Sequence, residues 1–207
     1  MDEAPTNLII IGITCVVSFL AFGNPRLLEA MVFWPPAISR KQDYKRFITY
    51  GLVHGDGAHL LFNMITLYFF GRQMEGFINQ RLGAYGFAIF YVLGLVVSIV
   101  PSWLRHRDDE KYFSLGASGA VSAVLFAFIL LAPWSTLNIF FAIPLPAIVY
   151  AVIYLAYTIY MDRRKADRIN HSAHLWGALY GIVFLLAIEP RVAGFFLEQL
   201  THPGQGG

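Results

Sequence analysis

Four long runs of this 207-residue chain contain no Asp, Glu, Lys or Arg: Ala4 to Pro25, Leu82 to Leu104, Tyr112 to Met161 and Ile169 to Ile188. Crossing the hydrocarbon core of a bilayer as α-helix takes about 20 apolar residues. Each run is therefore long enough for one crossing, and the third, divided at Pro133-Trp134-Ser135, is long enough for two. A further segment from His59 to Phe77 is less apolar and carries His59, Asn63 and Thr66. The expected helices are roughly 7–22, 58–77, 82–102, 116–132, 145–161 and 172–190. Backbone amides find no water in lipid, so a spanning segment is a helix or part of a closed barrel, and strand-like alternation is absent here. The fold class expected is all-α, a polytopic membrane bundle of six helices. It forms a single membrane domain over residues 1–200, followed by a disordered tail at 201–207.

Composition agrees. The chain is 57% hydrophobic and 14% charged, whereas a soluble domain carries about 25% charged residues. The net charge of +2 is small and the basic residues lie in loops, which argues against nucleic acid as a partner. Cys15, alone in an apolar run, supports neither a disulfide framework nor a Cys-based metal site. The first apolar run reads as a retained helix: Asp2 and Glu3 stand where a signal peptide has a basic region. Loop one, Gly23 to Gly57, is too long and apolar for a simple connector, and its Trp34-Pro35-Pro36 and other aromatics suit the membrane interface.

Polar groups inside a membrane are costly and face the bundle interior or a wet cavity. His59 and Asn63 open the second helix, Ser118 the fourth and His174 the sixth. Helices two, four and six run in the same direction, so these four residues share one depth just beneath one face. Ser118 sits in Gly116-Ala117-Ser118-Gly119-Ala120, where small neighbours leave the hydroxyl open. His174, Gly177 and Gly181 fall on one face of the sixth helix, and Gly177 with Gly181 forms a GxxxG pattern that permits close backbone contact. If that face packs on Gly116–Ala120, the imidazole meets the hydroxyl.

That meeting has chemical meaning. A serine hydroxyl is a weak nucleophile and needs an adjacent base, and an imidazole titrates near working pH. No carboxylate occurs nearby in the spans, so a dyad is expected rather than a triad. Free N–H groups at the helix start point toward a developing oxyanion, and His59 and Asn63, at i and i+4, offer two more donors. Taken singly, each residue has a bland reading: Gly-x-Ser-Gly as packing motif, a buried histidine or asparagine as interhelical tie. Coincidence at one depth favours the chemical reading. His54 and His171 are expected to be supporting hydrogen-bonders.

These residues resemble the defining motifs of the rhomboid family of intramembrane serine proteases. Tyr44-Lys45-Arg46-Phe47-Ile48-Thr49 through His54, then His59-Leu60-Leu61-Phe62-Asn63-Met64 and on to Gly71 and Glu75, is similar to the family's second-helix block. Gly116-Ala117-Ser118-Gly119 resembles the nucleophile motif, and Ala173-His174-Leu175-Trp176-Gly177 with Gly181 the base motif. The resemblance implies Ser118 as nucleophile, His174 as general base, and His59, Asn63 and the Ser118 amide as the oxyanion site. It implies that Arg46 and Glu75 shape and anchor loop one. It also implies transmembrane protein substrates, a lipid bilayer as surroundings and no cofactor. Lys45 stands where the family usually has Trp. Ser122 stands where an aromatic commonly stacks on the histidine, a space open to Tyr154 or Phe126.

Orientation gives two opposed expectations. Arg72, Arg81 and Arg191 fall on the N-terminal face and the remaining twelve of 15 Lys and Arg on the other. The positive-inside rule puts the Ser118 face in the cytoplasm; the resemblance implies a bacterial inner membrane with the site facing outward. Two rival functions are a non-catalytic rhomboid-like client binder, which typically lacks the serine or histidine, and a haem or metal protein using His54, His59, His171 and His174. The zinc-protease pattern His-Glu-x-x-His is absent.

Overall fold

The computed structural model describes residues 4–139, 142–164 and 169–201. Helix α1 (Pro5–Phe22) leads into three short helices of loop one, α2 (Pro25–Met31), α3 (Pro35–Lys41) and α4 (Arg46–Thr49), the last running into a 3₁₀ turn. Helix α5 (Gly57–Thr66) passes through a π-helical turn at Leu67–Gly71 into α6 (Arg72–Leu82), and α7 (Gly86–His106) returns. Then follow α8 (Ser118–Leu131), a hairpin of β1 (Thr136–Ile139) and β2 (Ile143–Pro146), α9 (Ala147–Arg164), α10 (His171–Ile188) and α11 (Arg191–Thr201).

Helices stand at all six expected positions, with differences at their ends. The second continues to Leu82 because the π turn absorbs a register change without breaking the helix. The third begins at Gly86, four residues late, because Gly83 at φ 83° ends the preceding helix in a conformation that favours glycine. By length and apolarity α1, α7 and α10 suffice to cross a bilayer, while α8 is shorter. The hairpin and α11 were not expected from sequence. The expected tail at 201–207 lies outside the described residues except for Thr201, which ends α11.

Helix α8 is the axis of the core: every residue from Gly119 to Leu130 is buried, although the helix has 14 residues. It rises about 21 Å at 1.5 Å per residue, against a hydrocarbon core of about 30 Å. The helix is therefore too short to reach both faces, and the two residues leading to its start, Gly116 and Ala117, are buried, as non-helical backbone at membrane depth must be. At its other end, Trp134 Nε1 donates to the Gln199 carbonyl at 2.8 Å and Gln199 Nε2 to the Leu131 carbonyl at 3.1 Å. Thus α11 satisfies a carbonyl that the last turn of α8 leaves open.

Loop one is a compact cover. Arg46, 9% exposed, donates to the carbonyls of Glu29 at 2.9 Å and Val32 at 2.6 Å and to the Asp43 carboxylate at 2.8 Å. Phe33 is fully buried and packs on Phe47 and Tyr50, while Phe47 meets Trp103 of α7 edge-on. Lys45, in the place of the expected Trp, lies exposed beside Asp43, and these aromatics supply the loop's apolar seat. Glu75 requires a correction. Its carboxyl oxygens accept the Thr6 amide at 3.0 Å and the Asn7 amide at 2.7 Å. It caps the N-terminus of α1 at the far end of its helix from His59, where first-turn amides have no helical partner, and does not anchor loop one.

Candidate active site

The start of α8 meets the start of α10. A Cβ on Gly177 would overlap the Gly119 carbonyl, and one on Gly181 the Ala123 carbonyl, so these two glycines let the helices touch backbone to backbone. Gly119 is similarly closed against Ser98 of α7. One turn before Gly177, His174 extends along the same face, and its Nε2 lies 2.7 Å from Ser118 Oγ. Both residues are half-buried. They line a cavity of about 110 Å³ with Tyr50, His59, Ser114, Gly116, Gly119, Asn170 and Ala173 among its walls.

The segment before Ser118 is bent to fit. Gly116 has φ 105°, and a Cβ there would stand 2.6 Å from His59 Cε1, so both backbone and space demand glycine. Phe33 and Ser114 exchange two backbone bonds, at 2.9 and 3.0 Å, which stitch this segment to loop one. As the first residue of α8, Ser118 has an amide with no partner inside the helix.

His59 reaches the cavity from α5, whose start is capped by the Asp56 carboxylate accepting the His59 amide at 2.8 Å. Asn63 is buried but turns back: its Nδ2 donates to the His59 carbonyl at 2.9 Å, and it is not among the cavity's walls. A side chain four residues along a helix readily makes this bond to its own backbone, and spacing alone cannot show the choice. The expected pairing of His59 and Asn63 as converging donors is thus present for His59 alone in this arrangement.

The stacking space beside Ser122, for which the sequence offers Tyr154 or Phe126, is filled by Tyr154 of α9. Tyr154 lies at 19° to the His174 ring with centroids 6.2 Å apart, and its hydroxyl meets Ser122 Oγ at 2.8 Å. Phe126 packs against Tyr154 instead, with centroids 5.5 Å apart. His171 is buried and meets the His174 ring edge-on at 6.0 Å. His54 is also buried, with Nδ1 2.9 Å from Ser18 Oγ and Nε2 accepting the Ala117 amide at 3.3 Å. With both ring nitrogens engaged, His54 has no lone pair to give a metal ion.

Two contributors escaped the sequence reading. Asn170 Oδ1 accepts the Ala173 amide at 3.0 Å, capping α10, while its amide donates to Ser102 and Ser114 hydroxyls, each at 3.2 Å. Asn immediately before a helical run is a legible cap signal. Ser18, a fully buried polar residue in an apolar helix, carried the same signal as His59 or Ser118.

A recessed serine touching an imidazole inside a bundle of apolar helices defines a class, the integral membrane proteins with a Ser–His pair beneath one face. Residues 41–191 match the model of the Rhomboid domain. The chain belongs to the rhomboid family. It is 35% identical over 142 residues to RHOMBOID-like protein 12, mitochondrial, of Arabidopsis thaliana, covering 63% of this chain and 42% of that protein. It is 25% identical over 114 residues to Rhomboid protease GlpG of Enterobacter sp. (strain 638), covering 54% of this chain and 38% of that protein. The matched part thus spans about two fifths of the length of each relative.

Proposed function

We propose that this chain is an intramembrane serine endopeptidase that crosses the bilayer six times and cleaves transmembrane segments of other membrane proteins. The observation that carries this reading is the 2.7 Å approach of Ser118 Oγ to His174 Nε2 in a recessed cavity. Support comes from family membership and from the similarity to Rhomboid protease GlpG.

In the proposed reaction His174 Nε2 accepts the Ser118 proton as Oγ attacks the scissile carbonyl carbon. The carbonyl becomes an oxyanion held by the Ser118 amide and His59, and Asn63 joins by swinging its amide off the His59 carbonyl. Collapse breaks the C–N bond, and His174 returns the proton to the leaving amine. Water, deprotonated by the same imidazole, then hydrolyses the acyl ester and regenerates Ser118. The site opens on the face opposite the start of α1, and the substrate helix unwinds there to present an extended bond.

The test is cleavage of a model single-span substrate in proteoliposomes. Wild type is expected to cut within or beside the spanning segment, Ser118→Ala to be inactive, and His174→Ala to lose about 10²–10⁴-fold, the usual contribution of a general base. Undiminished cleavage by Ser118→Ala ends the reading.

A further inference from the structure

His54 lies outside the reacting pair, yet it holds the amide of Ala117, the residue that precedes the nucleophile. Four groups form a directed chain. The Ala117 N–H donates to His54 Nε2 at 3.3 Å, so Nε2 must carry a lone pair. Ser18 Oγ spends its single proton on the Leu52 carbonyl at 2.9 Å, so toward His54 it must accept. The 2.9 Å contact between Ser18 Oγ and His54 Nδ1 is then an N–H donated by the ring. One protonation state alone satisfies all three bonds: neutral imidazole with its hydrogen on Nδ1. A second proton on Nε2 would face the Ala117 N–H, and the other tautomer would break two bonds at once.

This chain holds the backbone at a place where its direction matters. Gly116 at φ 105° turns the peptide so that the Ala117 amide points into His54. The next amide belongs to Ser118. Ala117 alone joins that peptide to the Ser118 amide, and its φ of −72° and ψ of −6° are already helical, so holding the first plane limits how far the second can turn. A donor aimed at an oxyanion is effective only when it is held before the reaction begins. His54 also meets the His59 ring edge-on, with centroids 4.9 Å apart. It therefore borders both groups assigned to the oxyanion in the proposed function, on which this inference rests.

We propose that His54 is a positioning residue that locks the Ala117–Ser118 backbone to α1 through Ser18, so that the first helix, remote in sequence, sets the geometry of the oxyanion site. Its contribution falls on the reaction step and not on substrate binding, because His54 is 1% exposed and does not line the cavity.

The experiment measures kcat and KM on the transmembrane substrate, thermal stability, and the rate at which Ser118 is labelled by a fluorophosphonate. Labelling of wild type that disappears in Ser118→Ala establishes the nucleophile; its absence in wild type overturns the proposed function itself. Given that labelling, His54→Leu is expected to lower kcat and the labelling rate about 10–100-fold with KM unchanged within about twofold. His54→Gln, which offers an acceptor to Ala117 and a donor to Ser18, recovers most of that loss. Ser18→Ala, the milder change, costs about fivefold in kcat. Should His54→Leu fail to fold, Ser18→Ala carries the loss comparison, with His54→Gln as the control that keeps the bonds. The ¹⁵N shifts of the His54 ring in folded wild type are expected to show a protonated Nδ1 and an unprotonated Nε2. The reverse tautomer, or labelling and kcat equal to wild type in a folded His54→Leu or in Ser18→Ala, overturns the proposal.

Discussion

Ser122 and Tyr154 join their hydroxyls across α8 and α9 at 2.8 Å, and this bond holds the Tyr154 ring nearly parallel to His174. The two residues divide between them what one aromatic on α8 would do alone: Ser122 supplies the anchor and α9 the ring. Tyr154→Leu is expected to lower kcat about 3–10-fold, the range for losing one ring contact of about 0.5–1.5 kcal/mol. Tyr154→Phe and Ser122→Ala keep the ring and lose only the anchor, so each should cost about twofold. Steady-state cleavage of one substrate by the three variants checks the order.

Gly177 permits the contact that brings α10 to α8, since any Cβ there meets the Gly119 carbonyl. Gly177→Val is expected to separate the two helices, abolish measurable cleavage and lower Tm. A displacement of about 1 Å at a reacting pair already costs about 10²-fold. Parallel thermal unfolding and activity measurements check this, and a fully active Gly177→Val protein would contradict it.

Much of this site could be read from the chain because membrane burial makes polarity conspicuous. Ser118 and His174 stood out in apolar runs, and the helix count set them at one depth. Gly177 and Gly181 announced the face on which they meet. What could not be read depends on the direction of side chains within a helix or on partners far along the chain. Asn63 had the right spacing from His59 and bonds its own backbone instead. Glu75 was expected at loop one and caps α1, about seventy residues away. Helix α11 is amphipathic and follows Pro190, and residues 191–200 lie inside the expected membrane domain with no helix of their own expected there. The β1–β2 hairpin hid in the longest uncharged run, where hydrophobicity alone does not separate strand from helix.

Arg46 satisfies two loop-one carbonyls and the Asp43 carboxylate. Arg46→Ala leaves all three without that partner and is expected to destabilise the protein by about 1–3 kcal/mol. Because loop one also pairs Phe33 with Ser114, four residues before Ser118, proteolysis within residues 23–57 should quicken in the same variant. Limited digestion followed over time, alongside Tm, checks both outcomes.

Glu189, just past α10, accepts from Arg191 and, to a lesser degree, from Arg81, and these partners hold its carboxyl down at about 2 from an ordinary 4.5. A depressed carboxyl stabilises the fold above its ordinary value and loses that contribution as pH falls from 4.5 through 2. Glu189→Gln is therefore expected to lower Tm at about pH 7, with the gap to wild type closing toward about pH 2. A gap that stays constant over that window would refute the linkage.

The Glu75 cap bears on how firmly the first helix is retained. Among the described residues three helices are long and apolar enough to cross a bilayer, and α1 is the least enclosed of them, with 22% of its span buried against 44% for α7 and 39% for α10. Few of its residues pack against the rest of the protein, so apolar contact alone gives it little reason to stay. Departure would nevertheless leave the Thr6 and Asn7 amides and the buried Glu75 carboxylate without the partners they have here. The most peripheral crossing is therefore latched at its tip, and a chain trimmed past Asn7 would be expected to let it drift.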